Sequence, residues 1–66
     1  MTIGERIKFA RKKIFLSQEA MAKELGISFA TLNRWENRKY EPNYAAQKVF
    51  HEFCLKHNIK FKGEDE

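Results

Sequence analysis

The sequence predicts an all-α domain of four helices followed by a polar C-terminal tail. Apolar residues recur every three or four positions along most of the 66 residues, which is the spacing of one helix face. Strict alternation of apolar and polar residues, the pattern of a half-buried strand, does not persist in any segment. Because 42% of the residues are hydrophobic, the chain can form one small core.

The first two predicted helices are separated by a break in the apolar pattern at residues 15–16. The first helix has Arg11 at the edge of an apolar face that consists of Ile3, Ile7, Ala10 and Ile14. Ser17 is expected to cap the second helix, which continues to about Leu25 and buries Ala20, Met21 and Leu25. Gly26 follows where a helix commonly ends in the left-handed conformation.

The third helix is expected to begin after a cap at Ser28 and to end near Asn37, with Leu32 and Trp35 on its inner side. Pro42 is expected to start the next element, because a proline disfavours helical conformation in the residue before it. The fourth helix, about residues 43–57, has one face formed by Ala46, Val49, Phe50 and Phe53. We expect residues 1–60 to form the folded domain and residues 61–66 an acidic, polar tail.

Charge is unevenly distributed along the chain. Residues 1–48 contain ten Lys or Arg against five Glu, whereas residues 49–66 contain three Lys against four acidic residues. This excess of positive charge is compatible with a polyanion as partner. The single cysteine, Cys54, is typical of a protein of the reducing cytoplasm, and no apolar run approaches the roughly 18 residues of a membrane span.

One segment shows several linked features at fixed spacing, LSQEAMAKELGISFATLNRWENRK. It resembles the DNA-binding domain of the phage-repressor-like helix-turn-helix family, the Xre and Cro/cI type. The likeness covers roughly residues 3–50 and depends on Leu16-Ser17-Gln18, Ala22, Gly26, Ile27-Ser28, Leu32 and Trp35-Glu36-Asn37. The resemblance implies a small lambda-repressor-like fold, with the helix-turn-helix at helices two and three. Phe15 departs from the family, in which glycine is frequent at this position.

The resemblance also implies that four residues on the far side of the third helix read DNA bases: Phe29, Ala30, Asn33 and Arg34. Arg34 can bind guanine through O6 and N7, and Asn33 can bind adenine with two hydrogen bonds. Ala30 or Phe29 can contact a thymine methyl group. Three alternatives stay open: Arg34 contacts only phosphate, Asn33 is a solvated surface amide, or Phe29 closes the core.

Phosphate contacts are expected on both sides of this reading surface. The family resemblance assigns them to Gln18 and Asn37, and Gln18 also lies at a helix N-terminus, where backbone N–H groups attract anions. Further candidates are Ser28, Thr31, Arg38 and Lys39. The resemblance further implies a structural ion pair between Arg11 and Glu36; the alternative is two independent surface charges.

No residues in the sequence indicate catalysis, because a glycine-rich phosphate loop and a nucleophile with a nearby base are both lacking. His51, Cys54 and His57 are spaced three apart on the fourth helix, so the two histidines diverge by roughly 120°. We therefore expect no metal site and no cofactor, and Cys54 is expected to be a small buried residue.

The sequence therefore predicts a sequence-specific regulator of transcription, most simply a repressor, whose third helix enters the major groove of double-stranded DNA. A homodimer on two half-sites is expected because one helix reads too few base pairs. Leu55 and Ile59 could form its contact surface, or the tail could fold back through Phe61 to cover them. The alternative function is a protein-interaction adaptor or antitoxin-like partner, and the chain could also be the head of a longer protein.

Overall fold

The computed structural model describes residues 1–37 and 40–61. They form four α-helices: α1 (Ile3–Lys13), α2 (Gln18–Leu25), α3 (Phe29–Glu36) and α4 (Tyr44–Lys56). These two stretches contain no strand, and the predicted all-α fold of four helices is confirmed. None of the described helices is long and apolar enough to cross a membrane. The predicted phosphate contacts Arg38 and Lys39, and the acidic end of the tail, lie outside the described residues.

Each helix begins at a polar side chain that accepts a hydrogen bond from the backbone N–H three residues later. Ser17 and Ser28 are such N-caps, as the sequence predicted, and Thr2 forms a capping box with Glu5 that the sequence analysis missed. The prediction for Pro42 was wrong by two residues. Pro42 is buried just before the cap, which is Asn43.

Helices α1, α2 and α4, whose ends are fully described, end in the same way. After α1, α2 and α4, one residue adopts a left-handed backbone conformation: Phe15 (φ 60°), Gly26 (φ 75°) and Asn58 (φ 57°). In each case the next backbone N–H donates to the carbonyl five residues earlier, at 3.0, 2.9 and 2.8 Å respectively. This arrangement satisfies carbonyls that the helix leaves without partners. Glycine adopts it without steric cost and asparagine with little, but Phe15 carries a Cβ that disfavours it.

The core lies where α2 packs against α3 and α4, and α1 packs against α3. Its buried residues are Ile7, Ala10, Met21, Ala22, Leu25, Leu32, Trp35, Phe50, Phe53, Cys54, Ile59 and Phe61. Two predicted core positions were wrong. Ala20 is exposed because α2 turns Ala22 inward, and residues two apart on a helix point about 200° apart. Val49 is 41% exposed because α4 is centred on Phe50, which places Val49 at the edge of its buried face.

The segment after α4 folds back onto the core. Ile59 and Phe61 are buried, and the Phe61 ring lies 5.6 Å from the Phe9 ring and 6.3 Å from the Phe50 ring between centroids. Phe61 therefore packs with the folded domain, as in the alternative that the tail folds back through Phe61, although residues 61–66 were assigned to the tail. Leu55 remains 67% exposed, so the two residues of the suggested dimer surface have different environments.

Glu24 joins α2 to the end of α4. Its Oε2 lies 2.6 Å from His57 Nε2 and 3.1 Å from Lys56 Nζ. The hydrogen bond with His57 holds the pKa of the Glu24 carboxyl below its ordinary value. Within the described residues, no group of three His, Cys, Asp or Glu side chains is gathered as a metal site would require.

The charged group at the centre of the fold is Glu36, whose side chain is only 2% exposed. Arg11 donates to both of its carboxylate oxygens, from Nε at 2.7 Å and from a terminal nitrogen at 3.0 Å. The other terminal nitrogen of Arg11 donates to the Leu16 carbonyl at 3.1 Å. One guanidinium thus joins α1 to α3 and also holds the turn that leads into α2.

Arg11→Ala is expected to lower the free energy of unfolding by about 3 kcal/mol or more, because it leaves the Glu36 carboxylate buried without its cation. Urea unfolding followed by circular dichroism measures the change. Lys12→Ala, which removes an exposed cation next to Arg11, is the matched control and is expected to change stability by less than about 0.5 kcal/mol. Equal losses in the two variants would show that the Arg11 pair has no special role.

Phe15→Gly is expected to raise the free energy of unfolding by about 1 kcal/mol, because glycine removes the Cβ clash of the left-handed conformation. The Phe15 side chain is 93% exposed, so little buried contact is lost with it. In thermal unfolding the gain corresponds to a Tm increase of about 4–8 °C. Phe15→Ala also removes the ring but keeps the Cβ, and it is expected to leave Tm nearly unchanged. A Tm that rises equally in both variants would contradict a backbone origin.

Candidate nucleic-acid interface

The two sides of α3 have different environments. Leu32, Trp35 and Glu36 are buried and hold the helix to the body of the domain. The opposite side, which we call the outward face of α3, consists of Phe29, Ala30, Asn33 and Arg34. Three of these residues are exposed, and Asn33 is half-buried. All four predicted base-reading residues therefore lie outside the core, and Phe29, at 49% exposure, lies at the edge of the outward face next to the buried side.

The turn between α2 and α3 makes the outward face available. Gly26 is left-handed, and the Ile27 N–H donates to the Ala22 carbonyl at 2.9 Å. Ser28 then caps α3 two residues after the left-handed position. The chain therefore changes direction over three residues, and the fully buried Leu32 fixes α3 against the core. This arrangement of two helices and a short turn is a helix-turn-helix.

The polar contacts of Glu36 continue to the surface through three amide side chains, Gln18, Asn33 and Asn37, which we call the amide chain. Gln18 Nε2 donates to Glu36 Oε1 at 3.0 Å. Gln18 Oε1 in turn accepts from Asn33 Nδ2 at 3.3 Å, and Asn33 Oδ1 accepts from Asn37 Nδ2 at 2.9 Å. Asn33 is therefore held by two hydrogen bonds.

The direction of every bond in the amide chain follows from the charge of Glu36. An ionised carboxylate only accepts hydrogen bonds, so Gln18 must point its NH₂ group toward Glu36 and its oxygen toward Asn33. The same reasoning then orients Asn33 and Asn37. The sequence predicted roles for the three amides but did not indicate that they are connected. Only the spacing of four between Asn33 and Asn37 was a signal, because Gln18 reaches Asn33 through tertiary packing.

The described candidates for phosphate contacts are Gln18, Ser28, Thr31 and Asn37. Gln18 is the first residue of α2, and Asn37 is exposed at the C-terminal end of α3. Ser28 and Thr31 are joined at the start of α3, where the Ser28 hydroxyl donates to Thr31 Oγ1 at 2.8 Å and accepts from the Thr31 N–H at 3.1 Å. The described candidates therefore lie at the two ends of α3 and at the start of α2.

Arg34 has an aromatic neighbour that the sequence did not predict. Its guanidinium carbon, Cζ, lies over the ring of Tyr40, 5.5 Å from the ring centroid. Tyr40 is in the loop between α3 and α4 and is 59% exposed. No periodic pattern relates a loop residue to a helical residue six positions earlier. The contact between Tyr40 and Arg34 therefore could not be predicted from the sequence.

Sequence comparisons with known proteins identify relatives of this chain. The chain is similar to the HTH-type transcriptional regulator DicA of Escherichia coli (strain K12), with 38% identity over 69 aligned positions that cover 98% of this chain and 50% of the relative. It is also similar to Repressor protein C2 of Salmonella phage P22, with 42% identity over 41 residues, 62% of this chain and 19% of the relative. The chain thus spans half or less of the length of these two relatives. No solved structure matches it significantly.

A family model described as "Helix-turn-helix" matches residues 7–45. The matched region extends from α1 through the turn and α3 to the start of α4, and so includes Arg11, Glu36 and the whole amide chain. It covers more than half of the 66 residues. The chain therefore belongs to the helix-turn-helix family of phage-repressor-like proteins.

Proposed function

We propose that this chain binds double-stranded DNA in a sequence-specific manner, as the DNA-binding part of a transcriptional repressor. The observation that carries the proposal is the outward face of α3. It presents an exposed guanidinium, an amide held by hydrogen bonds and apolar groups, on a helix whose other side is buried in the domain. The names of the two relatives, a transcriptional regulator and a repressor, support the same function.

The dimensions of α3 suit the major groove. Eight residues give a helix about 12 Å long, and its diameter with side chains is about 10–12 Å. The major groove of B-DNA is about 12 Å wide and shows a distinct pattern of donors and acceptors for each base pair. Arg34 supplies donors for guanine, and Asn33 supplies one donor and one acceptor for adenine.

The residues around α3 suit a phosphate backbone. Gln18 lies at the N-terminus of α2, where backbone N–H groups favour a negative charge. Asn37 is exposed at the C-terminal end of α3, so we expect the two amides to contact phosphates beside the bases being read. The net charge of +4 adds long-range attraction to the polyanion.

One copy of α3 contacts too few base pairs to select a site in a genome, because each mismatched pair costs only about 1–3 kcal/mol. We therefore propose that two copies bind half-sites about one helical turn apart. We propose that the chain acts in the cytoplasm, by binding without a catalytic step.

Selection of bound duplexes from a random pool is the experiment that tests this function. We expect enrichment of one sequence arranged as two half-sites, with affinity that falls steeply as salt rises. Amide signals of α3 should shift when the selected duplex is added. If no duplex of any sequence binds or moves α3 signals at low salt, the proposal is wrong. A protein partner that shifts α4 signals alone would instead support the adaptor function.

Arg34→Ala is expected to weaken binding to the selected duplex by about 5- to 150-fold, which corresponds to about 1–3 kcal/mol for a guanine contact. Binding to a random duplex should change little. Arg34→Lys is the matched control: it keeps the charge but loses the two-pronged geometry, so it should lose specificity and retain affinity for the random duplex. Fluorescence anisotropy measures both affinities. If both duplexes lose affinity equally, Arg34 contacts only phosphate.

Gln18→Ala is expected to weaken binding to the selected and the random duplex by a similar factor of about ten, as the loss of one hydrogen bond to phosphate would. The same anisotropy titrations measure it, and Glu19→Ala, which changes the exposed neighbour in α2, serves as the control. A loss confined to the selected duplex would contradict a phosphate contact and indicate that Gln18 acts through Asn33.

A further inference from the structure

Tyr40 provides an aromatic surface beside a residue of the outward face of α3. The 5.5 Å distance from Arg34 Cζ to the centroid of the Tyr40 ring lies within the roughly 6 Å range of a cation–π interaction. Tyr40 is 59% exposed, so packing in the core does not explain the position of its ring. Tyr40 therefore contacts the group most suited to reading guanine without being part of α3.

Tyr40 lies two residues before Pro42, which anchors this part of the loop. Pro42, two residues later, is buried, and its carbonyl accepts a hydrogen bond from Gln47 Nε2 at 3.0 Å. Asn43 then caps α4. Tyr40 and Arg34 border the same shallow cleft between the loop and α3, which Trp35 and Pro42 also line. The backbone that carries the ring is thus anchored to the domain at Pro42 and Asn43.

We propose that Tyr40 is a positioning residue for base reading: its ring holds the Arg34 guanidinium at the outward face, so that the N–H groups are directed to a guanine edge. This inference rests on the proposed DNA-binding function. It adds a residue outside the helix-turn-helix to the determinants of sequence specificity.

The chemistry of the contact suits this role. A ring attracts the guanidinium through its charge and its flat face, whereas guanine is bound by N–H groups in the guanidinium plane. Within residues 1–37 and 40–61, no hydrogen bond occupies those N–H groups. A long arginine side chain also loses rotamer freedom when it binds a base, and a contact that restricts it beforehand reduces that loss.

A double-mutant cycle on the full chain tests the proposal, with Arg34→Ala, Tyr40→Leu and the double variant measured on the selected and the random duplex. Tyr40→Leu is expected to weaken binding to the selected duplex by about two- to fivefold and to leave the random duplex unchanged. In the Arg34→Ala background the same change should have no effect. Tyr40→Phe, which keeps the ring, should behave as the unmodified chain does.

The controls separate this inference from the function on which it rests. Tyr44→Leu removes another tyrosine, which is 86% exposed. Its effect on affinity for the selected duplex should be the same in the unmodified chain and in the Arg34→Ala variant. In the DNA-free protein, the ring current should shift the side-chain proton signals of Arg34, and Tyr40→Leu should abolish the shift while Tyr40→Phe keeps it. Thermal unfolding of each variant should stay within a few degrees of the unmodified chain.

Three results would overturn the proposal. Independent effects of Tyr40→Leu and Arg34→Ala on the selected duplex would show that the ring does not act through Arg34, while the DNA-binding function would stand. Tighter binding after Tyr40→Leu would show that the ring withholds Arg34 from DNA. If no duplex is selected at all, the proposed function itself fails, and base reading by Arg34 fails with it.

Discussion

The fold and the candidate interface both depend on one buried negative charge, the carboxylate of Glu36. An ion of this kind is stable in a protein interior only when its partners replace the water it has lost. Arg11 provides two hydrogen bonds and Gln18 a third, and these partners come from α1 and α2. The helix that presents the outward face is therefore joined to the two preceding helices by polar contacts in addition to apolar packing.

This arrangement connects the interior to the surface by hydrogen bonds with a defined direction. Because Glu36 can only accept, each amide from Gln18 to Asn37 has one orientation that satisfies its neighbour. Asn33 is thereby held by side chains on both sides before any ligand is present. A binding surface that is already ordered loses less conformational entropy on association, which favours affinity and discrimination together. The remaining outward residues are more exposed, and the guanidinium of Arg34 lies over the ring of Tyr40.

The ends of the helices set the angles at which these groups meet. A left-handed residue followed by the same backbone hydrogen bond ends α1, α2 and α4. Short, defined turns are important in a domain of this size, because its small core leaves little free energy to restrain long loops. At the end of α1 the left-handed residue is Phe15, and Arg11 supports that turn by donating a hydrogen bond to the Leu16 carbonyl. The fold thus tolerates an unfavourable residue where a side-chain contact supports the backbone.

Local rules were sufficient to predict much of this protein from its sequence. Helical periodicity, the caps at Ser17 and Ser28 and the left-handed Gly26 depend on residues within one turn of each other, and all were confirmed. The exposure of Ala20 and Val49 could not be predicted, because it depends on which neighbouring helix each face meets. The amide chain from Gln18 and the contact of Tyr40 with Arg34 also required the tertiary structure, and only that structure decided that Phe61 returns to the core. These contacts join residues that no helical or strand repeat relates, so only the packed chain brings them together.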